Sequence, residues 1–262
     1  MLIAKGVKKT FFPGSVNEKK ALQGVDLTLD NGDFVTVIGS NGAGKSTFLN
    51  AVAGVFPIDE GTIEIGGFDV TKMPEYKRAK FIGRVFQDPM KGTAANMMIK
   101  ENLAMASRRG KKLGLAWSER EEDNERFAKL LKQFDLGLEN RLTARVGLLS
   151  GGQRQALTLL MATLRRPQLL LLDEHTAALD PKTAAKVLEL TDRIVQAEHL
   201  TTLMITHNMR DALRYGNRLI MMHEGRIVVD VKGDEKKNLT VRDLLALFEK
   251  GAGTISDAML LS

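Results

Sequence analysis

The chain has 262 residues, 44% of them hydrophobic and 27% charged, with a net charge of +6 and a pI near 9.4. That balance excludes a disordered or collagen-like chain and leaves room for one large domain, or for two lobes sharing a core. The absence of cysteine excludes disulfides, thiolate metal sites and cysteine nucleophiles, and a reducing compartment is the expectation.

The first residues, Met1-Leu2-Ile3-Ala4-Lys5-Gly6, lack the apolar core of a signal peptide. No apolar run reaches the roughly 18 residues of a membrane span. Residues 2–10 and 21–38 read as strands, with Leu22, Val25, Leu27 and Leu29 partly alternating with polar residues. Between them, Phe11-Phe12-Pro13-Gly14-Ser15 reads as a loop whose aromatic rings suit either loop packing or stacking on a base. The stretch Gly39-Ser40-Asn41-Gly42-Ala43-Gly44-Lys45-Ser46-Thr47 then follows the apolar run Phe34–Ile38 and precedes a helix-like segment. Strand, glycine-rich loop and helix in the spacing G-x-x-x-x-G-K-S make a phosphate-binding loop. Its glycines turn backbone N–H groups inward, and the helix N-terminus adds its positive end. Lys45 is expected on the outer phosphates and Ser46 on Mg²⁺.

Gly61–Gly67 reads as an antiparallel strand and turn, unlike a simple doubly wound α/β sheet. Phe81–Val85 reads as a buried strand that delivers Gln87 to its end, where α/β sheets face their ligands. There Gln87 suits either a plain surface position at a strand terminus, which the residue alone favours, or a role orienting a water or touching Mg²⁺. Basic clusters at Lys77-Arg78-Ala79-Lys80 and Arg108-Arg109-Gly110-Lys111-Lys112 are expected to form solvated faces rather than a nucleic-acid or lipid surface. Residues 96–149 turn helical: Ser118-Glu119-Arg120-Glu121 reads as a capping box, followed by Phe127, Leu130, Leu131 and Phe134 at helical spacing. The block reads as an inserted helical lobe.

Ser150-Gly151-Gly152-Gln153 opens the next helix, with Ser150 as N-cap and the glycines baring N–H groups, a second candidate anion site. Leu169–Leu172 reads as a central parallel strand ending in Asp173 and Glu174. Charges at such a place need partners. Asp173 suits a Mg²⁺ shell and Glu174 an attacking water. Asp180-Pro181 reads as a helix start, and Leu203–Thr206 as another buried strand, ending at His207. Residues 218–231 read as a closing hairpin, then a Lys-rich turn, a short amphipathic helix over 240–248 and a loosely held tail over 251–262.

This ordered set of phosphate loop, Gln, Ser-Gly-Gly-Gln, Asp-Glu and His resembles the ATP-binding subunit of ABC transporters over about residues 2–231. The resemblance implies a P-loop NTPase (RecA-like) core with an antiparallel β subdomain and an inserted helical subdomain. It divides a single ABC ATPase domain into a core over 1–88 and 153–233, a helical subdomain over 89–152, and a C-terminal helix and tail over 234–262. By position, Phe11 is similar to the adenine-stacking aromatic, with Phe12 second, and Asp180 to an aspartate beside the nucleotide. Glu174 and His207 match the catalytic pair, assisted by Gln87. His175 departs from the family pattern, standing where many relatives have Pro. The implied cofactors are ATP and Mg²⁺, the metal on Ser46, Gln87 and Asp173. The implied partners are transmembrane permease subunits, a second copy packed head to tail, and through the permease an extracytoplasmic solute-binding protein. That places the chain at the cytoplasmic face of the membrane, with import of an amino-acid-type or other small solute expected. An ABC ATPase acting on nucleic acid or the ribosome is the alternative. A metabolic P-loop kinase is disfavoured, having no use for Ser150–Gln153.

Overall fold

Phe34–Ile38 is buried at all five positions, as are Leu169–Leu172 and Thr202–Ile205 at every position. Strands apolar on both faces need cover on both, which places them in the middle of a parallel sheet. The computed structural model, which describes residues 1–111 and 121–252, has this arrangement. Its strands are β1 (Leu2–Phe11), β2 (Lys19–Leu29), β3 (Phe34–Ile38), β4 (Glu60–Ile65), β5 (Phe68–Asp69), β6 (Ile82–Val85), β7 (Leu169–Asp173), β8 (Thr202–Ile205), β9 (Arg218–His223) and β10 (Arg226–Lys232). Its helices are α1 (Lys45–Ala53), α2 (Glu75–Arg78), α3 (Ile99–Ser107), α4 (Glu121–Lys132), α5 (Gly151–Thr163), α6 (Pro181–Ala197), α7 (Met209–Arg214), α8 (Asp234–Lys237) and α9 (Val241–Ala252).

The main sheet runs β10-β9-β3-β8-β7-β6, parallel from β9 to β6 and antiparallel only at β10. A second, antiparallel sheet runs β2-β1-β4-β5. Helix α1 fills the space between them: Phe48, Leu49 and Val52 pack with Val35, Val37 and Leu171 of one sheet and Leu27 and Ile63 of the other. On the opposite face Phe34, Leu170, Leu172 and Met204 meet Ile99, Phe127, Leu131, Leu157 and Leu188 from α3 to α6. The period-two alternation along β7 thus assigns Leu169 and Leu171 to one core and Leu170 and Leu172 to the other.

Several expectations change. Phe11 closes β1 rather than lying in the loop. The basic clusters are not wholly solvated. Arg78 is buried and donates to the carbonyls of Ala51 and Val52 (both 2.9 Å) at the end of α1, and to those of Thr71 and Met73. Arg109 likewise donates to the carbonyls of Ala162 and Arg165 at the end of α5. Helix ends leave carbonyls without intrahelical partners, and an arginine fork satisfies several at once. Between Lys132 and Ser150 the lobe is mostly irregular, with one 3₁₀ turn over Val146–Leu148. The capping box at 118–121 lies outside the described residues except for Glu121. The Lys-rich turn is the helical turn α8, and α9 runs on to Ala252, so 251–252 belong to a helix rather than a tail. The rest of the expected tail, 253–262, lies outside the described residues.

Candidate nucleotide site

The phosphate loop links β3 to α1, and its glycines are required by what approaches them. Gly39 has φ 148°, and a Cβ there would collide with the Met222 carbonyl oxygen at the end of β9. Gly44 has φ 100°, and a Cβ would lie 2.7 Å from the Ala21 carbonyl oxygen. The β9–β10 turn braces the loop from below, Gly225 donating its N–H to the Ala43 carbonyl (2.9 Å). Asn41 and Gly42 are exposed at the tip, with Ser40 and Thr47 half-buried on either side. Lys45 is buried at the N-terminus of α1, and its Nζ donates to the carbonyls of Gly39 (2.6 Å) and Ser40 (3.1 Å). Burial lowers its pKa, opposed by the charges of Glu174 and Asp173.

Asp173 ends β7 beside this loop. Burial raises its pKa; the Arg84 guanidinium, 3.6 Å away, and a hydrogen bond with Ser46 act the other way. Arg84 also donates to Asn50 Oδ1 (2.5 Å) on α1 and lies over the Phe86 ring. Glu174 follows with φ 47°, a left-handed conformation uncommon outside glycine. Its N–H donates to the Ile205 carbonyl (3.1 Å), and its Oε1 lies 2.6 Å from His207 Nε2. The carboxylate is 10% exposed and the imidazole 43%. Gln87 is exposed just past β6 and lines, with Asp173, Arg84 and Phe86, a cavity of about 660 Å³. Lys45, Ser46, Asp173, Glu174, His207 and Gln87 therefore gather along the carboxyl end of the parallel sheet, where such folds hold ligands.

Ser46 Oγ and the Asp173 carboxylate are adjacent hard oxygen donors in a partly desolvated place, which fits Mg²⁺. Among the described residues no cluster of three His, Cys, Asp or Glu side chains forms a complete metal cage. Mg²⁺ commonly takes its remaining ligands from phosphates and water.

Ser150 to Gln153 lie elsewhere. Ser150 caps α5: Gln153 N–H donates to its Oγ (3.3 Å), and its own N–H donates to Gln153 Oε1 (3.2 Å). Ser150, Gly152 and Gln153 border a separate cavity of about 500 Å³, between Asp135, Thr183 and Lys186, that shares no lining residue with the first. Gly152 has a packing cause that its motif does not reveal: a Cβ would collide with Thr183 on α6. Asp180 is the N-cap of α6, accepting from the Thr183 N–H (3.1 Å), and is exposed. Phe11 is half-buried with its ring edge-on to Phe56 at 5.2 Å, whereas Phe12 is 68% exposed.

Arg84 and Asn50 escaped the sequence reading. A charged residue inside the apolar run Phe81–Val85 was the available signal, because a half-buried strand holds a cation only opposite a partner.

Known proteins resemble this chain in sequence and fold. A family model described as ABC transporter matches residues 22–177. A tyrosine transport ATP-binding protein of Clostridioides difficile is 47% identical over 250 residues, covering 95% of this chain and 99% of the relative. A methionine import ATP-binding protein of Enterococcus faecalis is 36% identical, covering 86% of this chain and 63% of the relative. Among solved structures, a dimeric ATP-binding cassette bound to ADP and Pi in a post-hydrolysis state superposes with a TM-score of 0.76 at 28% identity, covering 88% of this chain and 98% of that one. With the phosphate loop, the Asp-Glu strand end and the Ser-Gly-Gly-Gln helix each in place on this fold, the chain belongs to the ABC transporter family, as its ATP-binding and ATP-hydrolysing subunit.

Proposed function

We propose that this chain energises the import of an amino acid, of the aromatic class, through separate transmembrane permease subunits. It works as a head-to-tail pair at the cytoplasmic face of the membrane, with an extracytoplasmic solute-binding protein delivering the solute. The observation that carries the solute class is the 47% identity to the tyrosine transport relative along almost the whole of both chains. We divide the chain into a core (1–88 and 153–233), a helical subdomain (89–152) and a C-terminal segment (234–262). The reading that has an ABC ATPase act on nucleic acid or the ribosome gains no support from these relatives.

In the reaction, N–H groups of 39–47 and Lys45 hold the phosphates, Lys45 exchanging the Gly39 and Ser40 carbonyls for phosphate oxygens. Ser46, Asp173 and Gln87 hold Mg²⁺, which neutralises phosphate charge when bound. Phe11 stacks on adenine. Glu174 takes a proton from the water whose oxygen attacks the γ-phosphorus, and ADP leaves. His207 orients Glu174 through its 2.6 Å contact. Ser150, Gly151, Gly152 and Gln153 serve the γ-phosphate of the partner's nucleotide, because their cavity is separate from that of their own Asp173. Asp180 lies at the same edge.

The test is reconstitution in lipid vesicles with the co-purifying permease and binding protein. ATP-driven uptake of labelled tyrosine is expected, competed by phenylalanine or tryptophan and not by lysine. Uptake of none of these, with ATPase activity intact, would overturn the solute class.

A further inference from the structure

His175 follows Glu174 directly, and its imidazole is 2% exposed in a place that no step above uses. Its Nε2 lies 3.1 Å from Thr191 Oγ1, about three turns along α6 from the N-cap Asp180. The Thr191 hydroxyl has one proton, donated to the Val187 carbonyl at 2.8 Å. The imidazole must therefore be the donor and Thr191 Oγ1 the acceptor, which assigns the proton to Nε2.

Glu174 has need of a fastening. Its φ of 47° is a conformation that persists only where the surroundings over-determine it. On the sheet side its N–H is held by the Ile205 carbonyl, and its own carbonyl accepts from the Ala177 N–H at 2.9 Å. On the helix side the next residue is tied to the middle of α6 through a buried hydrogen bond, beside a short turn over 175–178 in which Ala177 and Ala178 are exposed.

We propose that His175 is a positioning residue: its Nε2–H bond to Thr191 locks the left-handed turn that holds the Glu174 carboxylate against His207 and toward the attacking water. The proposal rests on Glu174 being the base. His175 touches neither phosphate nor water in this scheme; it acts through its neighbour's backbone.

Thr191→Val removes the acceptor and keeps the shape, and Thr191→Ser keeps the acceptor. Thr191→Val should lower kcat for ATP about tenfold while KM and the Kd for ATP stay within about twofold, and Thr191→Ser should retain wild-type values. Because the effect runs through Glu174, adding Thr191→Val to Glu174→Gln should not lower the residual single-turnover rate further. At His175, Gln places an amide near the Nε2 position and Asn does not, so His175→Gln should retain more kcat than His175→Asn. Unchanged kcat in Thr191→Val, a rise in KM alone, or an equal fall in the Glu174→Gln background would each overturn the tether. Full turnover in Glu174→Gln alone would instead remove the base assignment, and the tether with it, so the two failures are distinguishable.

Discussion

Glu174 commits Oε1 to His207 at 2.6 Å, which leaves Oε2 for the water. Replacing the carboxylate by an amide keeps the shape and removes the proton acceptor. Glu174→Gln should bind ATP as the wild type does and lose about 10²-fold or more of its turnover, measured by nucleotide binding and phosphate release. Normal release by the variant would end the assignment. The two phenylalanines at the end of β1 separate by the same approach. The edge-on contact with Phe56 fixes the Phe11 ring, whereas Phe12 projects into solvent. A ring held in place stacks at less entropic cost, so Phe11→Ala should weaken ATP binding by about 1–3 kcal/mol and Phe12→Ala by much less. Equal losses, by fluorescence titration, would refute this choice.

At the scale of elements, the helical turn α8 is fastened by one buried cation. Lys236, 2% exposed, donates to the carbonyls of Tyr215 and Gly216 (2.9 Å to the latter), which follow α7. Burial pushes its amine from 10.5 down to about 8. Below about pH 8 both folded and unfolded chains carry the charge, and the burial cost is fully present. Between about pH 8 and 10.5 the unfolded chain binds more protons, so stability rises with pH through that window. The stability of the wild type relative to Lys236→Met should therefore move in the wild type's favour by about 2 kcal/mol between pH 7 and pH 10. Urea denaturation of both proteins at the two pH values reads this; a constant difference would mean that the amine is not desolvated. A single cation likewise joins α1 to the strand β6: Arg84, between Asn50 and Asp173, links the phosphate-loop helix to the sheet.

At the scale of the molecule, the cavity beside Asp173 and Gln87 and the cavity beside Ser150 have no lining residue in common, whereas the proposed mechanism uses both for one nucleotide. A head-to-tail pair resolves this, and the chain's lack of cysteine makes it testable. Ser40→Cys and Ser150→Cys, combined in the Glu174→Gln background, should give covalent dimers with a short thiol cross-linker. These should require both cysteines and Mg-ATP. Dimers equally abundant without nucleotide, or links confined within single chains, would refute the shared site.

The phosphate loop, the Asp173-Glu174 strand end, the N-cap Ser150 and the buried strands were legible in the sequence. Each rests on local chemistry within a few residues: turn glycines, a cap, an unbroken apolar run. The roles of Arg78 and Arg109 as caps on distant helix ends, the partnership of Arg84 with Asp173, the packing need behind Gly152 and the bond from His175 to Thr191 were not. Each pairs residues from segments apart in the chain, and a side chain's donors carry no mark of which carbonyl or carboxylate they will meet. Which groups face one another follows from strand order and helix placement, and those are decided only when the two faces of the sheet are covered and the cores close.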